Sequence, residues 1–505
     1  MVLFEWVVAI LLGALLLTAL ARRVGAPYPA FLALGGAALA YLPGTPELAM
    51  DPELALALFV APVLLDTAYD TSLRDLKANW RPVAGLAVGA VGVTTAAVAL
   101  VAHALVPELP WAAAVAMGAV VAPPDAAAAS AVLRQIRIPH HLQLILEGES
   151  LLNDATALMV LRLAIGAAAM GAFSPAELAP TFLIGVAGSL IAGPILGRLF
   201  VRLTERVQDT PSAIVLQFVA TFGVWMVAEQ IGLSGVLTIV SYALTISRYA
   251  PDRTPAEQRL PAYAVWETAV FVLNVLAFVL IGLQIRPILA RLAPGEQTQY
   301  LLVAGAVLAT VLLVRFAWVL GYGIAARSLR RKGPETPHFG SGLVVAWAGM
   351  RGLVTLAGAF ALPATFPERD LILVAAFSVV LGTLILMGLS LRPLLVRLGL
   401  EDDDPVGQEV GRARSEALRA ALGSLEATKT PAAGALRHEY EALLEQAEED
   451  PRGKVIASSE HDELRRRAVK AAREVLSGLR SSDEIGDDAF HAIQDELDRV
   501  ELSIR

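Results

Sequence analysis

HLQLILEGESLLNDATALMVLRLAIGAAAMG, residues 141–171, is apolar enough as a whole for a membrane, yet Glu149, Ser150, Asn153 and Asp154 sit near its centre. On a helix turning about 100° per residue, these four fall within a sector of roughly 140° and share one face. An ionisable side chain at bilayer depth is costly unless it is paired or wetted, so two acids on that face need a reason. The default reason is a pathway for an ion or a proton.

The remainder of the chain supports a membrane setting. Of its 505 residues 56% are hydrophobic and 17% charged, a balance that belongs to polytopic membrane proteins rather than soluble ones. There is no cysteine, which excludes a disulfide framework and thiolate-held copper, zinc or iron-sulfur centres. The net charge of -8 comes mainly from the polar C-terminal tail and says little about substrate sign. The opening MVLFEWVVAILLGALLLTALARR has its basic pair after the apolar run and no small-residue cleavage site, so it reads as a retained first span.

A spanning helix needs about 20 mostly apolar residues. Thirteen candidates are centred near Leu11, Leu34, Ala61, Gly92, Ala122, Ala157, Ile191, Val219, Ile239, Leu276, Leu312, Thr355 and Leu381. The odd-numbered loops carry the basic residues: Arg22 and Arg23; Arg74, Lys77 and Arg81; Arg134 and Arg137; Arg198, Arg202 and Arg206; Arg248, Arg253 and Arg259; Arg327, Arg330, Arg331 and Lys332. The even loops have few, chiefly Arg286, Arg291 and Arg369. Because Lys and Arg favour cytoplasmic loops, this alternation predicts an external N-terminus and a cytoplasmic C-terminus.

Thirteen spans place helices seven apart in opposite directions, as inverted repeats require. The fifth span contains Ala122-Pro123-Pro124-Asp125 and the twelfth Gly349-Met350-Arg351-Gly352, so two equivalent segments carry helix breakers. Broken spans at matching places in two halves point to a midplane transport site, because breaks free backbone carbonyls and half-helix ends for an ion. The expected fold is an all-α polytopic membrane protein of about thirteen helices, with inverted repeats and two broken crossing helices. Residues 1–400 form the membrane domain; residues 401–505, polar after Glu401-Asp402-Asp403-Asp404-Pro405, form a helical cytoplasmic tail. Within that tail Leu464, Ala468, Ala471, Val475 and Leu479 recur at helical spacing and predict an apolar face.

Asp154 is the leading candidate for a site shared by cation and proton. Burial among apolar helices penalises the bare anion, so a proton or a cation must neutralise it. Ser150 and the side-chain carbonyl of Asn153 supply the oxygen ligands that hard monovalent cations prefer. Asp125, directly after Pro124, could share the ion with Asp154; its bland alternative is to cap the second half of its own broken helix. Glu149 needs a counter-charge, and Arg315 in the apolar eleventh span is an equally isolated cation; Arg351 is a rival partner, or a fixed positive charge opposite Asp125 and Asp154. Asp66 lines an ion funnel or sits at the interface. Glu229, Glu267 and His103 lie near segment ends, where snorkelling to water suffices.

The run EGESLLNDATAL, with VAPPDAAAASAV before it and AGMRGLVTLAG after it, resembles the sodium/proton exchanger-type cation:proton antiporters, and the likeness covers about 400 residues. In that family the Asn-Asp pair matches Asn153 and Asp154, the preceding Glu-Ser matches Glu149 and Ser150, the broken-helix acid matches Asp125, and the buried Arg that pairs with the motif Glu matches Arg315. The resemblance implies a plasma-membrane homodimer in which a core bundle (spans 4–6 and 11–13) moves against a dimerisation bundle (spans 1–3 and 7–10). It also implies electroneutral exchange of one Na+ or Li+ for one proton, with no resident cofactor and no nucleic-acid partner. Where many relatives have Thr-Asp-Pro, this chain has Pro124-Asp125-Ala126 and loses a hydroxyl ligand; where some have Glu, it has the shorter Asp66.

Three alternatives remain open. Potassium/proton exchange would use the same residues. An intramembrane aspartyl protease also needs two membrane acids; Tyr69-Asp70 supplies one half-motif, but no Gly-x-Gly-Asp follows. A channel would require a filter-like loop with repeated carbonyl motifs, which the sequence lacks.

Overall fold

The computed structural model describes residues 2–43, 52–125, 129, 133, 138–170, 175–291, 294–329, 339–400, 404–449, 460–482 and 487–502. No strand occurs among them. The chain forms two compact units, Met1–Asp402 and Asp403–Arg505.

In the first unit α1 (Val2–Val24) and α2 (Tyr28–Leu39) are followed by α3 (Ala61–Asp70), which continues a π-helical turn at Leu56–Val60. Next come α4 (Leu73–Ala78), α5 (Trp80–Leu105), α6 (Trp111–Val121) and the long α7 (His140–Met170). Then follow α8 (Pro175–Thr204), α9 (Thr210–Gln230), α10 (Gly235–Tyr249), α11 (Ala256–Leu283) and α12 (Pro294–Leu329). The unit closes with α13 (Phe339–Trp347), α14 (Leu353–Phe360) and α15 (Arg369–Leu398). Among the described residues eight helices are long and apolar enough to cross a membrane. The other apolar centres fall in shorter pieces, such as α2 and α6 with 12 and 11 residues, or beside an interruption, as Thr355 does in α14.

Local chemistry sets the helix ends. Ser234 accepts from the Leu237 amide and starts α10. Asp209 accepts from the Ser212 amide at 2.9 Å and starts α9, and these bonds hold its carboxyl below the usual carboxylate range. Gly25 and Gly232 follow α1 and α9 in the left-handed region at φ +70° and +76°.

Small residues bring helices to backbone contact, as expected where packing replaces the hydrophobic effect. A Cβ on Gly36 of α2 would overlap the Val279 carbonyl of α11, and one on Gly282 of α11 would overlap the Ala33 carbonyl of α2. Gly118 likewise lets α6 lie against the Thr95 backbone of α5.

Two interruptions organise the interior. After Val121 the chain leaves the helix through Ala122, Pro123, Pro124 and Asp125, where two prolines remove backbone donors. After Trp347 it leaves again until Leu353. The breaks meet, because the Asp125 amide donates to the Met350 carbonyl at 2.7 Å. Most of the fifth span beyond Asp125, with Ala126, Arg134 and Arg137, lies outside the described residues, as do Arg330, Arg331 and Lys332.

The second unit consists of α16 (Pro405–Leu425), α17 (Pro431–Glu449), α18 (Glu460–Ser481) and α19 (Asp487–Leu502). Arg419 joins Glu448 at 2.7 Å between α16 and α17, and Arg473 of α18 reaches Asp498 of α19. The apolar face of α18 differs from the expected one. Val469 and Leu476 are buried, whereas Leu464 and Val475 are 52% and 63% exposed. Two sets of apolar residues recur at helical spacing, and packing against α19 selects the one that includes Val469 and Leu476.

Candidate functional site

The long α7 carries the polar face, with Glu149, Asn153 and Asp154 at 1%, 0% and 5% exposure. Each of the three has a different environment.

Glu149 belongs to an ion pair. Arg315 of α12 donates to it through both terminal nitrogens, one at 2.9 Å to Oε2, and also reaches the Val345 carbonyl at 2.9 Å. Both side chains are 2% exposed, so two costly burials are joined in a bidentate pair. Asn153 faces the first break: its Nδ2 donates to the Pro124 carbonyl at 3.0 Å, and its buried Oδ1 has no partner among the described residues.

Arg351 does not pair with Glu149. Its Nε and Nη2 donate to the carbonyls of Val121 and Ala122, each at 3.1 Å, and its Nη1 donates to the Gly349 carbonyl. Its amide donates to the Thr383 hydroxyl at 2.9 Å. The carbonyls at the C-terminal end of α6 have lost their helical partners, and a guanidinium beside them serves as a cationic cap.

Asp125 performs the converse task. Its Oδ2 accepts from the Leu353 amide at 3.0 Å, at the N-terminus of α14. The helix start it caps here belongs to the other broken span; the continuation of its own span, where the sequence offers a cap, lies outside the described residues. Gly352 makes room for this, since a Cβ there would overlap the Asp125 carboxylate.

Asp125, Ser150 and Asp154 line one small cavity of about 30 Å³, together with Val60, Val63, Leu64, Thr67, Leu151, Asn274, Leu353 and Val354. Asn153 lies outside that lining, at the Pro124 turn. Val63, Thr67 and Asn274 also line a second cavity of about 1210 Å³, whose walls include Asp66, Asp70, Glu147 and Glu267. The three shared residues therefore mark where the two spaces adjoin. Asp66 thus lines the large cavity, and Glu267, which is exposed, stands there with it.

Glu229 also has a specific partner. Arg162 of α7 binds its carboxylate, and its Oε1 accepts from the Gly235 amide at 2.9 Å. His103 makes a 2.9 Å hydrogen bond to the Leu109 carbonyl and stacks on Trp111 at 4.2 Å. The sequence reading missed Thr67 and Asn274. The available signal for Asn274 was a lone amide in the apolar run VLNVLAFVLIGL.

The arrangement can hold one small cation or a proton against carboxylate oxygens in a confined space, with a wide polar approach. The signature of the family described as "Sodium/hydrogen exchanger, transmembrane" matches residues 8–397. A sodium, potassium, lithium and rubidium/proton antiporter of Bacillus pumilus is 29% identical over 488 residues, covering 92% of this chain and 73% of that protein. An uncharacterized sodium/proton exchanger of Mycobacterium tuberculosis is 30% identical over 526 residues, covering 99% of this chain and 95% of that protein. Among solved structures, the sodium proton antiporter MjNhaP1 from Methanocaldococcus jannaschii at pH 8 is similar in fold, with a TM-score of 0.61 at 19% identity over 76% of this chain and 98% of that one.

Proposed function

The chain belongs to the sodium/hydrogen exchanger family, and from that membership we propose that it exchanges Na+, and Li+ with it, for H+ at Asp154 and Asp125. It is a multi-pass secondary transporter and not an enzyme, which removes the intramembrane protease reading. Asp70, the acid of the protease half-motif, is exposed and lines the large cavity.

The observation that carries the proposal is the small cavity that gathers Asp125, Ser150 and Asp154 and adjoins the large one. Its volume, about 30 Å³, is enough for an ion with little accompanying water. Proton and cation cannot both occupy Asp154, so competition there couples the two fluxes, and the unneutralised site is the form least able to cross an apolar barrier. Glu149 is engaged by Arg315, and Asp125 is partly compensated by the α14 N-terminus. One exchangeable charge then remains, which supports one-for-one electroneutral exchange. Ser150 contributes an oxygen to the ion, and Asp66 gathers cations in the approach.

Around this site the proposed protein has thirteen spans in inverted repeats, with broken spans 5 and 12 crossing at the midplane. It sits in the plasma membrane with the N-terminus outside and the C-terminus in the cytoplasm. Residues 1–400 transport and residues 401–505 form the tail. Spans 4–6 and 11–13 move against spans 1–3 and 7–10 in a homodimer, exposing the site to each side in turn. Sodium is the proposed cation because the family is one of sodium/hydrogen exchangers; the Bacillus pumilus relative takes potassium, lithium and rubidium beside sodium.

Everted vesicles carrying an acid-loaded pH dye test the reading. Sodium and lithium should relieve dye quenching with the parent protein, and Asp154→Asn should abolish that response. Undiminished relief in the variant would remove Asp154 from the site, and a potassium arm measures selectivity in the same preparation.

A further inference from the structure

A cation passing between the two cavities leaves a space of about 1210 Å³ for one of about 30 Å³. The inner space is far narrower than the approach, so a hydrated ion sheds part of its water shell on entering it. Oxygen ligands must therefore replace water where the space narrows. Val63, Thr67 and Asn274 line both cavities and form that threshold.

Asn274 is the anomaly among them. It is 7% exposed and stands in an apolar stretch of α11, yet its side chain has no hydrogen-bond partner among the described residues. Buried amides are normally paired, because folding does not return the water they lose. The same helix follows that rule at Gln258, whose Nε2 donates to the Val207 and Gln208 carbonyls at 3.0 Å. The Asn274 carboxamide, unpaired among the described residues, instead faces the junction of the wide approach and the confined carboxylate site, where its oxygen is available to a passing ion. Thr67 supplies a hydroxyl at the same threshold, and Val60, Val63, Leu64 and Thr67 present one helical stripe there.

We propose that Asn274 is a cation ligand of the approach path: its side-chain oxygen, with the Thr67 hydroxyl, replaces water on the entering ion before the ion reaches Asp125 and Asp154. The proposal rests on the reading of Asp154 as the exchange site. It adds a residue from α11, outside the break after α6 and the α7 and α14 elements that build the carboxylate end. Because Asn274 is neutral, it acts on the cation and not on the competing proton. Its loss weakens sodium recognition and leaves the proton dependence at saturating sodium unchanged. A purely structural role would instead lower the rate at every sodium concentration.

Full-length protein in proteoliposomes with an internal pH dye reads the difference, with Asp154→Asn run alongside. Asn274→Leu keeps the approximate volume and removes the oxygen; it should raise the half-saturating sodium concentration about tenfold, the effect of losing one hydrogen-bond-strength contact to an ion. Asn274→Asp retains an oxygen and should show no such rise. Sodium-dependent thermal stabilisation of the purified variants supplies a second readout that does not need turnover, with the midpoint for Asn274→Leu displaced to higher sodium. Parental half-saturation in Asn274→Leu, or an unchanged midpoint in a variant that no longer transports, overturns the proposal. If Asp154→Asn is silent at the same time, the threshold alone fails. If Asp154→Asn transports like the parent, the exchange-site reading fails with it.

Discussion

Glu149 and Arg315 show why a single buried charge is more hazardous than two. Each is almost fully removed from water, and together they form a bidentate pair that also engages the Val345 carbonyl. Removing one partner of such a pair costs about 3–5 kcal/mol, because the other is left buried and uncompensated, whereas apolar replacement of both is often close to neutral. Glu149→Gln should therefore lower the detergent-solubilised melting temperature sharply. Glu149→Leu combined with Arg315→Met should recover most of the loss, short of the part owed to Val345. Equal losses in the single and double variants would show that the pair is not what holds α7 to α12. Asp125 is compensated differently, by the amide end of another helix, while its carboxylate also lines the cavity.

The helices extend this economy of space, and their closest approach can be tested by size alone. At the α2–α11 crossing Gly282 meets the Ala33 carbonyl and the Ala37 amide, whereas Gly223 in α9 has open space where a Cβ would stand. Gly282→Val should cost at least the 1–3 kcal/mol typical of an overpacked interior, while Gly223→Val should shift the melting temperature little. Equal shifts would mean that helix propensity, not the crossing, dominates. The same contrast explains what could be read beforehand. Charges are rare in apolar helices, so Glu149, Asp154, Asp125 and Arg315 stood out, and Pro123-Pro124 announced a break. Asn274 and Thr67 carry no charge and did not register against a background of ordinary polar residues. Arg351 was legible as an unusual cation, but its attachment to the Val121 and Ala122 carbonyls depends on where two breaks meet, which no local pattern contains. In α18 two apolar sets share one helical period, and only the neighbouring α19 decides between them.

For the molecule as a whole, coupling through one shared site has a thermodynamic signature that needs no transport. A ligand that binds the folded protein raises its melting temperature by mass action, with a midpoint that reports apparent affinity. If a proton and a sodium ion exclude each other at Asp154, each must weaken the other's binding by the same factor. Through the acid range in which the site is mostly protonated, the sodium concentration needed for half the stabilisation should then change about tenfold per pH unit, the slope for displacement of one proton. Two displaced protons would give a change of about a hundredfold per unit and contradict one-for-one exchange. A midpoint independent of pH would separate the proton from the cation site altogether. In Asp154→Asn the sodium-dependent shift should disappear at every pH, whereas in Asn274→Leu the pH slope should persist and the whole line move to higher sodium. The two variants thus distinguish the residue that sodium and the proton contest from a residue that sodium alone touches.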